Sequence, residues 1–206
     1  GQEPGPISQF DAIGVFSDYN SSSPLNLLVT HRAFAWTAAA DRKYVMVDYS
    51  IKNTGNTTLN SLYAGLCADW DIPAYANNKA SVDNSRRMGY AWSTDVAGLY
   101  GAMKLLSHTG GFSHYAIDNV TGGGGADLSD GFSDSEKYQV LSTTRPDAGN
   151  TVSTGNDVID VVSSGPFTLA PGDSVSVAFA LIGGESLSMI QQSADAAQLK
   201  YDSVFV

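Results

Sequence analysis

Apolar and polar residues alternate over much of this chain, which is the pattern of half-buried β-strands. The clearest run is residues 43–52, where Val45, Val47 and Tyr49 share one face and polar residues occupy most of the other. Residues 174–182 repeat the same alternation. Because side chains on a strand point alternately to its two faces, each run predicts a strand with one face on a core.

Shorter apolar runs bounded by Gly, Pro, Asn and Asp predict further strands. They are residues 12–16, 25–36, 59–72, 89–92, 99–106, 113–117 and 158–162. Residues 43–52 and 59–72 are expected to form an antiparallel hairpin, since Asn and Gly in the intervening loop suit a tight turn. Residues 73–87 are expected to be a long polar loop.

Helical periodicity is confined to two places. Residues 134–142 predict a short helix with Ser133 or Asp134 as N-cap. Residues 186–203 predict an amphipathic helix whose stripe includes Leu187, Ile190 and Ala194, with Ser188 and Gln191 as a capping box.

The order of these elements predicts one all-β domain over residues 1–206. Many strands, one late helix and no β-α-β alternation indicate an antiparallel β-sandwich of jelly-roll or super-sandwich type. It carries one C-terminal α-helix and a short internal helix. The Pro- and Gly-rich residues 1–10 are expected to be a linker or an N-terminal arm.

The charge of the chain limits its partners. It has 11 basic and 21 acidic residues and a net charge of −10. A surface of this sign repels phosphate backbones, so nucleic-acid binding is not expected. No run of about 18 apolar residues is present in the sequence, so no membrane span is expected either.

Several patches resemble a known type of domain. They include the residues from Tyr44 to Gly55, the residues from Leu62 to Ile72, Arg86-Arg-Met-Gly-Tyr, and the residues from Gly165 to Gly184. Together they resemble an accessory β-sandwich domain of large secreted bacterial proteins, often found beside subtilisin-like protease domains. The resemblance implies a non-catalytic module that is secreted or held at the cell surface.

Oxygen-bearing side chains cluster around the end of the strand predicted over residues 59–72. Calcium takes six to eight oxygen ligands from carboxylates, amides, carbonyls and water. The sequence therefore predicts a calcium site, and the alternative is that these side chains only cap turns. The candidate metal ligands are Asp69, Asp71, Asn77, Asn78 and Asp83.

Aromatic side chains suggest a second kind of site. Tyr75, Tyr90 and Trp92 are the candidate binding residues, since aromatic surface with a polar rim suits recognition of sugars. Asp69 and Asp71 also raise the possibility of a paired-carboxylate glycosidase. Side chains on one strand face do not easily flank a sugar ring, so the sequence favours a protein that is not an enzyme.

The leading functional interpretation is a non-catalytic extracellular accessory or interaction module stabilised by calcium. The first alternative is a carbohydrate-binding module. The second is a subunit of a surface fibre or layer that assembles by β-augmentation. The expected partners are a glycan, a neighbouring protein domain or further copies of the chain.

Overall fold

The fold of residues 5–206 comes from a computed structural model, and residues 1–4 lie outside the described part of the chain. The chain begins with seven strands. They are β1 (Phe10–Ser17), β2 (Leu27–Ala35), β3 (Tyr44–Asn53), β4 (Leu59–Trp70), β5 (Asn78–Asp83), β6 (Met88–Ser93) and β7 (Tyr100–Leu105). They are followed by β8 (Gly111–Asp118), helix α1 (Asp134–Ser142), β9 (Val158–Leu169), β10 (Ser174–Gly184) and helix α2 (Leu187–Phe205). Two single 3₁₀ turns, Tyr75–Asn77 and Asn84–Arg86, flank β5.

The strands form two antiparallel sheets of unequal width. The larger sheet has seven strands in the order β1-β2-β3-β10-β7-β6-β5, and the smaller has three in the order β4-β9-β8. Their facing sides enclose a core that includes Val47, Met103, Val162 and Phe179. This confirms the predicted all-β antiparallel sandwich.

Each sheet carries one helix on its outer face. Helix α2 packs Ile190, Ala194 and Ala197 onto the larger sheet, and helix α1 packs Val140 onto the smaller one. The molecule is therefore layered helix, sheet, sheet, helix. Both predicted helices are confirmed, and α1 begins after Ser133 with the side chains of Ser133 and Glu136 forming a capping box.

The hairpin expected between β3 and β4 is wrong, because the two strands lie in different sheets. Tyr49 of β3 and Leu66 of β4 both pack into the core between the sheets. Both strands have an apolar face to bury, and stacking across the core buries both, whereas pairing side by side buries neither. Residues 73–87 are not one polar loop either, since β5 lies within them and pairs with β6.

The N-terminal segment is tied to β2. Ser8 Oγ accepts a hydrogen bond from the backbone of Ala35, and Gln9 Oε1 accepts one from the backbone of Thr37. Strand β1 already begins at Phe10, within the predicted arm. Of residues 5–206, no helix is long and apolar enough to span a membrane.

Candidate functional site

An aromatic cleft lies on the outer face of the larger sheet, beside the start of helix α2. Trp92 of β6 and Tyr100 of β7 are directly paired across the two strands, so their side chains stand on the same face. Their rings are nearly parallel, at 16° with centroids 6.4 Å apart. The cleft that they line has a volume of about 550 Å³.

Polar groups of both signs surround these two rings. Lys79 of β5 pairs with Trp92 on the side opposite Tyr100, so Lys79, Trp92 and Tyr100 form one row across three strands. Asp95 and Glu185 contribute carboxylates from the β6–β7 loop and from the end of the larger sheet. The cleft therefore offers an apolar floor with hydrogen-bond donors and acceptors at its margin.

Asp95 is held in place by two side chains. Its carboxylate accepts hydrogen bonds from Ser93 Oγ at 2.5 Å and from Asn77 Nδ2 at 3.0 Å. These bonds, with that from Ser93 the larger cause, lower the pKa of Asp95. The Asp95 carboxylate is thus a fixed, charged acceptor at the cleft.

The predicted binding residues divide between three positions. Trp92 lines the cleft. Tyr90 lies two residues earlier on the same strand face and supports Trp92, with ring centroids 5.7 Å apart. Tyr75 is 60% exposed in the first 3₁₀ turn and is not among the residues lining the cleft. The sequence did not point to Lys79, Asp95 or Glu185 as residues of this cleft.

A second cluster, the acidic triad, consists of Asp69, Asp71 and Asp157. One carboxylate oxygen from each lies within 4.8 Å of the other two. The pairing of β4 with β9 brings these three residues together. Because Trp70 pairs with Val158, Asp71 and Asp157 lie opposite each other one position further along, with their side chains on the same face. Burial and the neighbouring carboxylates raise the pKa values of Asp69 and Asp157.

One carboxylate oxygen of the triad has no hydrogen-bond donor within residues 5–206. Asp157 accepts a hydrogen bond from Asn119 Nδ2 through Oδ2, whereas its Oδ1 is buried without a partner within the described residues. A buried carboxylate oxygen without a donor is costly unless a cation or water satisfies it. The charge and the oxygen chemistry of the triad fit a calcium ion.

The side chains of the other predicted metal ligands are bound to protein groups. Asn78 is fully buried, and its side chain bonds the backbone of Ile72 and Ala74. Asn77 bonds Asp95, as described above. Asp83 forms an ion pair with Arg86 at 3.0 Å and accepts a bond from Gln191 of α2. These three side chains therefore stabilise local turns and contacts between elements.

Comparison with known proteins gives likeness of structure only, since no family model and no curated protein sequence matches the chain. The Slr1438 protein from Synechocystis sp. PCC 6803 matches with a TM-score of 0.46, 9% identity and 90% of this chain covered. A proposed aldose 1-epimerase from Escherichia coli K12 matches with a TM-score of 0.43, 11% identity and 86% covered. This chain spans 65% of the length of each of these two proteins.

The comparisons correct the leading functional interpretation. The non-catalytic accessory module is contradicted: neither of these two structures is described as such a module, and one of them is described as an aldose 1-epimerase. Both TM-scores are below 0.5, so the likeness itself carries no argument about activity.

Proposed function

We propose that this protein binds carbohydrate and that the aromatic cleft holds the saccharide. The observation that carries the proposal is the row of Lys79, Trp92 and Tyr100 across three adjacent strands, with Asp95 and Glu185 at its margin. Ligand sites combine apolar and aromatic lining with a few fixed polar groups, and this cleft lies within their usual size range.

A sugar ring matches this arrangement chemically. Its axial C–H groups form an apolar patch that can lie on an indole or phenol ring, while its hydroxyls both donate and accept hydrogen bonds. Lys79 can donate to such hydroxyls, and the carboxylates of Asp95 and Glu185 can accept from them. A neutral saccharide is favoured over an acidic one because the chain carries a net charge of −10.

Binding is tested by titrating neutral oligosaccharides and soluble polysaccharides against the protein, with calorimetry and retardation in polysaccharide gels as readouts. Trp92→Ala is expected to weaken binding at least tenfold, since it removes the largest ring of the cleft. Tyr75→Ala is the matched control, because Tyr75 is an exposed aromatic residue outside the cleft. Equal effects of the two substitutions would contradict the proposal, as would the absence of binding to any saccharide in the panel.

Binding without bond cleavage is part of the proposal. One carboxylate oxygen of Asp69 and one of Asp71 lie within 4.8 Å of each other. However, both side chains point to the same side of the chain at the end of β4, so they do not flank a sugar ring. We expect no release of reducing ends from a polysaccharide that binds. Release that disappeared in Asp69→Asn would instead establish the glycoside hydrolase considered in the sequence analysis.

We also propose that the acidic triad binds calcium. Three clustered carboxylates and the unpartnered Oδ1 of Asp157 support this proposal. Secretion, or attachment at the cell surface, and the resemblance to a domain of secreted bacterial proteins stay predictions. They agree with this proposal, because polysaccharides and millimolar calcium are both found outside cells.

A further inference from the structure

The larger sheet extends well beyond the smaller one. Strands β1, β2 and β3 lie at one end of the seven-stranded sheet, whereas the smaller sheet contacts the larger mainly through β9, which lies over β5, β6, β7 and β10. We call β1–β3 the wing. The inner face of the wing is the side that continues the inter-sheet core, as Ala33, Val47 and Tyr49 show.

This inner face is apolar, exposed along β1 and half-buried along most of β2 and β3. The pairing of β1 with β2 and of β2 with β3 assigns the positions that share it. They are Phe10, Ala12, Gly14 and Phe16 of β1, Leu27, Val29, His31, Ala33 and Ala35 of β2, and Val45, Val47, Tyr49 and Ile51 of β3. Phe16 is 54% exposed and Val45 is 38% exposed. A contiguous apolar surface of this kind marks an interaction site.

An apolar gorge separates the wing from β4. It has a volume of about 700 Å³, and the residues that line it include Val45, Leu66, Met103 and Leu181. Strand β4 pairs on one side only, with β9, in the described part of the chain. Its other edge therefore presents backbone N–H and C=O groups to whatever covers the wing.

That free edge decides what kind of partner fits. An alkyl chain in the gorge would cover the backbone groups of β4 without bonding them, which is costly. An extended strand pairs with them and places alternate side chains on the apolar face. Strand β1 is such a strand: it contacts β2 strongly on one side, is an edge strand on the other, and borders the far side of the same apolar face.

Charge favours contact between two wings. The chain carries −10 overall, but residues 10–53 have no net charge. They contain four acidic residues, Asp11, Asp18, Asp41 and Asp48, and four basic residues, Arg32, Arg42, Lys43 and Lys52. Two copies that meet through their wings therefore keep their acidic regions apart.

We infer that two copies of this chain form a two-fold symmetric dimer in which the wings stack face to face and β1 of each copy pairs with β4 of the other. The two-fold axis lies between the two stacked wings and runs parallel to their strands. Rotation about it therefore places the seven-stranded sheet of one copy level with the three-stranded sheet of the other. The three-stranded sheet of one copy then continues into the seven-stranded sheet of its partner. The β1 and β4 edges of each copy are closed by the same operation, so an assembly built through these two edges stops at two.

Strand directions allow this pairing. Strands β1 and β3 run the same way, since both are antiparallel to β2. Strand β4 runs antiparallel to β3. The side chain of Asn53 at the end of β3 bonds Leu169, which pairs with Leu59 at the start of β4. At the other end, Trp70 of β4 and Tyr44 at the start of β3 both line the gorge. The two-fold axis keeps strand directions, so β1 of one copy meets β4 of the other antiparallel.

The area is sufficient for a stable contact. Three strands about 4.8 Å apart and about nine residues long present roughly 430 Å² of projected face. Two such faces contribute on the order of 900 Å², and two strand pairings add to this. Because part of the β3 face is already covered in the inter-sheet core, the total approaches the roughly 1,200 Å² at which specific interfaces begin.

The dimer is tested first by mass. Sedimentation and light scattering at increasing concentration should show a species of twice 21.7 kDa. Phe16→Asp places a carboxylate in the interface and should return the protein to monomer. Val15→Asp is the matched control: Val15 is the adjacent residue, 62% exposed on the outer face of β1, and its variant should remain dimeric. Circular dichroism checks that both variants fold.

A cross-link tests the geometry independently of any destabilising substitution. Cys67 is the only cysteine of the chain and is exposed on the outer side of β4. Ile13 is 70% exposed on the outer side of β1. Ile13→Cys should give a disulfide-linked dimer on mild oxidation, and the same variant with Cys67→Ser should not. Phe16→Cys, which faces inward, should link far less.

Three results would overturn the inference. One is a monomer at every concentration tested, which would leave the wing to another protein or to a further segment of chain. Another is a dimer that persists in Phe16→Asp. The last is assembly into species that grow without limit, since this would mean open head-to-tail contacts rather than a closed pair.

Discussion

Asp83 shows how the surroundings of one residue decide its role. Burial raises its pKa, but hydrogen bonds from Ser85, Arg86 and Gln191 outweigh this and lower the pKa to about 2. The sequence marks Asp83 as a candidate metal ligand in a polar stretch. The structure makes it the link between the second 3₁₀ turn and helix α2.

Asp83→Asn should lower the free energy of unfolding by about 2 kcal/mol at pH 7, the equivalent of a shift from the ordinary 3.8 to about 2. A carboxyl group with a depressed pKa stabilises the fold above its unfolded value and loses this contribution as the pH falls through its folded value. The difference from wild type should therefore shrink between about pH 4 and pH 2.

Urea unfolding at pH 7, 5 and 3 measures this effect. Asp130→Asn serves as the control, since Asp130 is an exposed aspartate outside these contacts. A loss in Asp83→Asn that stayed constant across the three pH values would show that the Asp83 contacts do not depend on its charge.

The acidic triad gives a prediction whose sign depends on calcium. The raised pKa values of Asp69 and Asp157 mean that these two ionised carboxylates oppose folding, and this cost is complete once the pH exceeds their folded values. In chelator, Asp71→Asn should raise the melting temperature by removing one repelling charge. With millimolar calcium, the wild type should gain more stability than the variant.

Thermal melts in chelator and in calcium check both signs, with magnesium as a second ion. Asp130→Asn, an exposed substitution outside the triad, should leave the response to calcium unchanged. A wild-type melting temperature that ignored calcium would remove the ion from the proposal without touching the aromatic cleft.

At the scale of single elements, helix α2 shows where local sequence signals compete. Ser186 and Ser188 are both suitable caps, and the sequence pattern favoured Ser188 with Gln191. The structure caps the helix with Ser186, whose Oγ accepts the backbone N–H of Met189. Gln191 is instead used for the contact with Asp83.

Ser186→Ala should therefore lower stability by about 1 kcal/mol, the usual cost of losing an N-cap. Ser188→Ala should change it by less than about 0.5 kcal/mol, as expected for a substitution at an exposed helical position. Chemical unfolding of the two variants beside wild type separates them. Equal losses would mean that the helix begins two residues later than the structure shows.

Strand pairing explains why the sequence predicts some residues of the aromatic cleft and not others. Alternation places Tyr90 and Trp92 on one face of β6. It does not reveal that Tyr100 lies opposite Trp92, because this depends on the length and register of the β6–β7 connection. Lys79 enters the row only because β5 exists within what reads as a polar loop.

At the scale of the whole molecule, the aromatic cleft and the wing lie in different parts of the larger sheet. The cleft is on the outer face at β5–β7, and the wing presents the inner face of β1–β3. Saccharide binding and dimer formation should therefore be separable by substitution.

Phe16→Asp should bind saccharide with the affinity of wild type per subunit, and Trp92→Ala should retain the mass of the dimer. Calorimetry and light scattering on the same two preparations make this comparison. Loss of both properties in either variant would show that the two sites depend on each other, for example through a global loss of structure.

The sequence by itself determined the local structure of this protein. Alternation specified the strands other than β5, capping residues specified α1, and the spacing of Leu187, Ile190 and Ala194 specified the face of α2 that is buried. These features depend on interactions within a few residues, so a single chain segment carries all the information they need.

Only the tertiary structure decided which segments meet. It placed β3 and β4 in opposite sheets, brought Asp157 to Asp69 and Asp71, set Tyr100 beside Trp92, and left the wing uncovered. Such contacts join residues far apart in the chain, and many pairings satisfy the same alternation. Burial of all the apolar faces at once selects among them, and this is a property of the whole fold.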